Sequence, residues 1–230
     1  MIRERLKAYA LRHEQLLKTY RKSVGKIKTQ LYFNAQSRAL QKGGISLIES
    51  IDQALTDLGA KFFIDCGTLL GLYRDGKPAI NDKDIDFGIW FDQYFTPELL
   101  EKTMKSLGLK LVSKGLLFGV VQEMTFSKGI VHIDFFRHTE TETESRMYIF
   151  YRDVQKQYPT NKHYSVLCQR RVHIPELKRV TIAGIETSIP ANTEEYLAST
   201  YTNNWRIPDP NWSYWNEPGC TKLDHYGIRK

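Results

Sequence analysis

The run Asp82-Lys83-Asp84-Ile85-Asp86-Phe87 places acids at spacing two inside an apolar alternation. Asp84, Asp86, Gly88 and Trp90 fall on one parity, and Ile85, Phe87, Ile89 and Phe91 on the other. A strand with period-two side chains satisfies that pattern by burying one face and carrying carboxylates on the other. Fifteen residues upstream stands Gly67-Thr68, between a short apolar stretch, Lys61 to Cys66, and the short helical pattern Leu69 to Tyr73. Glycine admits an anion close to the backbone, and the free N–H groups of a helix start favour it. Carboxylates are the ligands that hard divalent cations prefer. An anion seat beside a cation seat predicts metal-assisted chemistry on a phosphate.

A third acid follows on the strand pattern of Ile130 to Phe136, where His132 and Asp134 share one face and Val131, Ile133 and Phe135 the other. If this strand neighbours the first, Asp134 completes a three-carboxylate set with Asp84 and Asp86. Phosphoryl transfer needs charge neutralisation more than covalent help. Two cations about 3.5–4 Å apart can hold the attacking and leaving oxygens. The expected metal ligands and catalytic groups are therefore Asp84, Asp86 and Asp134, with Mg2+, or Mn2+ in its place. Gly67 and Thr68 are expected to face donor phosphates, with Arg74 supplying a bidentate fork and Asp82 bordering the substrate.

The rest of the chain frames that centre. Its 230 residues, 41% hydrophobic, suit one domain with a small appendage. No segment reaches the roughly 20 apolar residues of a membrane span. The charged N-terminus lacks the apolar core of a secretory signal, and Cys66, Cys168 and Cys220 form no metal or disulfide spacing. A reducing cytoplasm is the expected compartment. A net charge of +7 favours acidic partners without choosing among them. Residues 1–42 read as one or two basic helices, with Ile2, Leu6, Leu16, Leu17 and Tyr20 near helical spacing and a break near Gly25. Their positive face is a candidate for peripheral contact with an anionic membrane, against the plainer reading of a solvated helix packed on the body.

Gly43-Gly44 reads as a break before a helix with Leu47, Ile48, Ile51, Leu55 and Leu58 on one face, stopped at Gly59. Thr96-Pro97 opens another helix, closed by Gly108. Strands are expected over 109–113, 116–126, 130–136 and 147–151, a polar loop over 137–146, and a hairpin over 180–189 turning at Ala183-Gly184. Residues 152–175 give no clear pattern. Asn192 to Tyr201 reads as a helix with a capping box from Asn192 to Glu195. The last residues, rich in Trp and Pro, read as an irregular tail wrapped on the domain, for packing or for lining an acceptor pocket.

Three other motif readings compete. Asp86-Phe87-Gly88 spells the metal-binding tripeptide of protein kinases, but no glycine-rich loop or catalytic-loop His-Arg-Asp accompanies it. Asp82-x-Asp84 matches the metal motif of nucleotide-sugar glycosyltransferases, yet only one strand precedes it. Among the histidines, His132 shares a face with Asp134; the others show no ligand spacing.

The segment Phe63-Ile-Asp-Cys-Gly-Thr-Leu-Leu-Gly-Leu-Tyr-Arg74, followed by Asn81-Asp-Lys-Asp-Ile-Asp86, resembles the LicD/fukutin family. Val131-His-Ile-Asp134-Phe-Phe136 is similar to the family's third-acid strand. Ile189-Pro190, Tyr196-Leu197, Tyr201 and Trp205-x-x-Pro208 resemble its C-terminal region. The likeness runs from about residue 44 to 212. It implies an α+β fold, a nucleotidyltransferase-like mixed β-sheet flanked by helices, with an N-terminal helical segment. The implied division is 1–42 as that segment, 43–212 as the catalytic domain and 213–230 as a tail packed on it. The implied activity moves a phospho-alcohol, such as phosphocholine or ribitol phosphate, from a CDP-alcohol donor to a glycan or glycolipid hydroxyl. Lys83, where many relatives carry Asp, and Thr202, where Gly is usual, depart from the pattern. Two alternatives stay open: a nucleotidyltransferase acting on RNA or a small molecule, and a catalytically inactive glycan-binding module. In the leading reading nucleic acid is no partner.

Overall fold

The computed structural model describes the backbone of residues 2–80, 82–153, 155–209 and 212–230, and side chains from residue 27 onward except that of Asn216. In chain order come α1 (Ile2–Asp57), β1 (Phe62–Ile64), α2 (Cys66–Asp75), β2 (Asp84–Ile89), α3 (Pro97–Ser106), β3 (Lys110–Leu117), β4 (Val120–Lys128) and β5 (Val131–Arg137). Then follow β6 (Thr139–Glu140), β7 (Glu144–Tyr151), β8 (His163–Val172), β9 (Leu177–Ile182), β10 (Ile185–Pro190), α4 (Thr193–Tyr201) and β11 (Cys220–Arg229). Among the described residues the main sheet has nine strands in the order β1-β2-β5-β4-β3-β11-β8-β7-β6, and β9 and β10 form a separate hairpin. The β2–β5 pair is parallel and its neighbours are antiparallel, so this is an α+β fold on a mixed sheet flanked by helices.

The core gathers against the β1-β2-β5 end. Leu40, Ile48, Ile51 and Leu55 of α1 are buried there with Phe63, Phe87, Ile133 and Phe135. Phe87 and Phe135 stack across the parallel pair at 5.2 Å between centroids. Apolar area of this kind contributes roughly 25 cal/mol per Å2 removed from water.

Helix α1 corrects two expectations. It runs unbroken through Gly25 and through Gly43-Gly44. Of the second pair only Gly44 is closely packed: a Cβ there would meet the Leu40 side chain at 2.7 Å, with Pro78 at 3.8 Å, whereas one on Gly43 would meet nothing within 4 Å. Gln41 donates to the Pro78 and Ala79 carbonyls at 2.9 and 3.0 Å, and Ser37 to that of Ile80 at 2.7 Å. Gly44 thus lies beside the loop at Pro78 and ends no helix. The apolar spacing read over Ile2 to Tyr20 lies outside the described side chains. No described helix is long and apolar enough to cross a membrane.

Other signals behave as read. Gly59 takes φ +65° and ends α1, its N–H bonding the Thr56 carbonyl at 2.9 Å. Thr96 caps α3 through the Leu99 N–H at 3.3 Å. The β9–β10 hairpin turns at Ala183 and Gly184, both with positive φ. Helix α4 forms, but Asn192 makes no cap bond; its amide donates instead to the His173 carbonyl at 2.9 Å.

Two strand boundaries and the chain end differ from expectation. The break expected between residues 113 and 116 falls instead at Phe118-Gly119, with φ of 51° and 80°. A two-residue turn with both φ positive matches the twist of the strands it joins. The expected irregular tail contains β11, which lies between β3 and β8 and joins the two halves of the sheet. A register shift between Lys222 and Tyr226 interrupts its alternation. Gly227 and Gly115 leave a slot for Phe150, since a Cβ on either would stand 2.0 or 2.7 Å from its ring.

Gly227→Val is therefore expected to destabilise the protein by about 1–3 kcal/mol in urea unfolding. Combined with Phe150→Ala it should cost less than the sum of the two single changes.

Candidate functional site

Strands β2 and β5 bring the acids together. In their parallel register Asp84 lies opposite His132 and Asp86 opposite Asp134. Directly opposed residues project to the same face, so the three aspartates share it. Asp86 is buried, and Asp84 and Asp134 are half-buried. Asp82 joins them from the loop: its carboxylate oxygen lies 2.6 Å from where a Cβ on Gly67 would stand. Gly67 therefore makes room at the α2 start, and in this structure Asp82 fills the room. Thr68 is committed to strand placement, its Oγ1 accepting the Asp86 N–H at 2.9 Å.

Arg74 is placed elsewhere. Gly67 stands in the first turn of α2 and Arg74 in the last. The helix rises roughly 10 Å between them, at about 1.5 Å per residue. The Arg74 fork grips Asp75 at 3.0 and 2.8 Å and donates to the Trp205 carbonyl at 3.1 Å. The bidentate fork expected at a donor phosphate is engaged here in anchoring the far end of α2.

The carboxylates burden one another. Burial, then Asp84, Asp82 and Asp134, push the Asp86 carboxyl well above the usual range. Burial and Asp84 do the same to Asp82. Asp134 is pushed up to about 7 by burial, Glu123 and Asp84, against a hydrogen bond from Thr125 at 2.5 Å. Lys83 answers part of this charge, its ammonium standing 3.4 Å from Asp84 and raised in pKa chiefly by that carboxylate. Among the described residues no group of three or more Asp, Glu, His or Cys side chains is arranged to hold a metal ion. The donor set nevertheless suits Mg2+ or Mn2+: hard oxygens, partly desolvated and mutually repelling.

Beneath the turn lies a network that motif reading missed. Asp65 caps α2 by accepting the Cys66 N–H at 2.7 Å. Its carboxylate also takes Arg171 at 3.0 Å, His138 at 2.9 Å and the Tyr196 hydroxyl at 2.8 Å, all buried. Arg171 continues to Glu217 at 2.9 Å and Gln169 at 3.1 Å. Burial alone would raise the Asp65 carboxyl; Arg171 and His138 overcome it and hold it well below the usual carboxylate range. The stretch 137–146, expected as a polar loop, instead carries β6 and the start of β7 and supplies buried His138 and Ser145, which bond each other at 2.7 Å. The only local signal was an acid just before Gly67-Thr68; Arg171 stands in the unpatterned region and Glu217 in the tail. Two open concavities lie elsewhere, one around Phe33, Ser37, Gln41 and Ile80, the other around Arg171, Ser199, Thr202 and Pro218. Neither is lined by Asp84, Asp86 or Asp134.

A family model described as LicD/FKTN/FKRP, nucleotidyltransferase domain, matches residues 59–192, which include every aspartate of the cluster. The chain belongs to this family. Ribitol-5-phosphate transferase FKTN of Macaca fascicularis is 28% identical over 188 residues, covering 80% of this chain and 37% of that protein. The Homo sapiens protein of the same name is 28% identical over 185 residues, covering 78% and 37%. The chain thus spans little more than a third of the length of these relatives. The crystal structure of ANT(2")-Ia with adenylyl-2"-tobramycin overlays at a TM-score of 0.45 and 17% identity, over 74% of this chain and 81% of that one.

The electrostatics of this LicD-family chain generate two expectations. A carboxyl with a folded pKa above its unfolded value binds more protons when folded, so stability falls as pH rises through that interval. For Asp134 the interval runs from 3.8 to about 7. Without divalent cation, Asp134→Asn should raise Tm at pH 8 and change it little at pH 4. Arg171→Ala, which strands buried carboxylates, should cost about 3–5 kcal/mol by denaturant titration.

Proposed function

We propose that this protein is a metal-dependent phosphotransferase. It moves a phospho-alcohol from a CDP-activated donor to a hydroxyl of a cell-surface glycan and releases CMP. The observation that carries the reading is the opposition of Asp86 and Asp134 across parallel strands, with Asp84 on the same face, inside the matched family region. The curated relatives, named ribitol-5-phosphate transferases, support the class of reaction.

Asp84, Asp86 and Asp134 would hold Mg2+ or Mn2+, which supplies charge neutralisation to the donor phosphates. The acceptor oxygen attacks the distal phosphorus, the bond from that phosphorus to the CMP oxygen breaks, and CMP leaves with the electron pair. Asp134, on the same face as the other two carboxylates, takes the hydroxyl proton. Lys83, beside Asp84, adds a fixed positive charge at the mouth of the site. Thr68 holds the β2 backbone in place. Gly67 gives a donor phosphate access to the α2 N-terminus once Asp82 moves aside.

The test is CMP release and metal-dependent thermal stabilisation with CDP-ribitol, CDP-choline and CDP-glycerol in turn. One of them should raise Tm in Mg2+ and not in EDTA, since a ligand bound only by the native state stabilises it. Asp134→Asn should lower turnover about 10²–10⁴-fold, and Asp84→Ala or Asp86→Ala should remove it. Wild-type turnover in either alanine variant would overturn the assignment, and labelled nucleotide incorporated into RNA would favour a nucleotidyltransferase.

A further inference from the structure

One tryptophan sits where a packing residue does not belong. Trp205 is buried and Trp90 and Trp212 are half-buried, but Trp215 is 43% exposed. Its ring is nonetheless held from several sides. Tyr151 meets it edge to face at 4.7 Å, Tyr214 lies at 4.9 Å, and the Lys222 ammonium stands 5.1 Å from the ring centre. Ser213 accepts the Trp215 N–H and starts the single 3-10 turn that carries Tyr214 and Trp215. A large aromatic face kept in water and braced by neighbours is a ready surface for another ring.

Its location ties it to the carboxylates. Trp212, on one side, packs on Tyr201 at 4.5 Å. On the other side Glu217 holds Arg171, which holds Asp65 at the start of α2. The segment between these anchors is thus tied to the α2 start, where the Asp65 N–H bonds the Asp86 carbonyl at 2.9 Å. On the β7 side Tyr151 follows Phe150, whose N–H meets Glu123 at 3.4 Å, and the Thr125 hydroxyl lies between Glu123 at 3.5 Å and Asp134 at 2.5 Å. These contacts lead from the rings to Asp134.

We propose that Tyr214, Trp215 and Tyr151 form the acceptor subsite, where the indole face stacks against the pyranose ring that presents the attacking hydroxyl. This rests on the phosphotransferase reading above and adds the residues that receive the sugar. The indole face attracts the polarised C–H groups of a pyranose. The Lys222 ammonium stands over one face of the indole, so the sugar takes the opposite face, with the two tyrosines as sources of hydroxyl partners for its own hydroxyls. Trp215 lies beyond the matched family region, residues 59–192.

The experiment compares wild type, Trp215→Ala and Trp215→Phe with a panel of methyl pyranosides as acceptors and the active CDP-alcohol as donor. Trp215→Ala is expected to raise the acceptor KM roughly tenfold while leaving the donor KM and the Mg2+-dependent thermal stabilisation by donor unchanged. Trp215→Phe, which keeps a ring, should recover part of the loss. Independently of turnover, a methyl pyranoside should quench tryptophan fluorescence in wild type and not in Trp215→Phe. An unchanged acceptor KM in Trp215→Ala overturns the subsite. Quenching by CMP and not by any pyranoside also overturns it, by assigning the ring to the donor base. Failure of the donor to stabilise wild type would instead strike the phosphotransferase reading itself.

Discussion

The ion contact between Asp65 and Arg171 is the constraint on which the site rests. Asp65 sits between β1 and α2, Arg171 on β8, Tyr196 on α4 and Glu217 on the approach to β11. Elements far apart in sequence thus converge on one buried carboxylate. Charges taken out of water are tolerated only when paired and fully hydrogen-bonded. Each partner here is bonded to at least one other member of the group, so the α2 start is fixed from several directions. Thr68 then transmits that position to the Asp86 backbone.

Against this charge-paired network stands a charge-unbalanced one a few residues away. Asp82, Asp84, Asp86 and Asp134 face each other with one adjacent ammonium, that of Lys83, to offset them. The rigidity of the fold holds these like charges together. A phosphate-handling site gains from such an arrangement, because a divalent cation would offset the carboxylates and the donor diphosphate alike.

Local pattern made one end of the sheet legible. Period-two alternation identified β2 and β5 and put Asp84 with Asp86 on one strand face and Asp134 with His132 on another; that the two faces coincide was conditional on strand pairing, which the parallel β2–β5 register supplies. The glycine at 59 and the threonine at 96 declared helix boundaries because cap chemistry is local. What failed to show was long-range. Gly44 looked like a breaker because nothing in sequence reveals that Pro78 packs against it. Strand β11 hid behind a register shift and a glycine that serves Phe150. The buried partners of Asp65 and Arg171 come from residues 138, 196 and 217, and no spacing rule links them.

The central claim is that Asp84, Asp86 and Asp134 share a divalent cation. Calorimetric titration of Mn2+ in the presence of CDP tests it without reference to turnover. Wild type should bind the ion, and Asp84→Asn, Asp86→Asn and Asp134→Asn should each weaken it, with folding unchanged by circular dichroism. Equal Mn2+ affinity in wild type and all three variants would contradict the account.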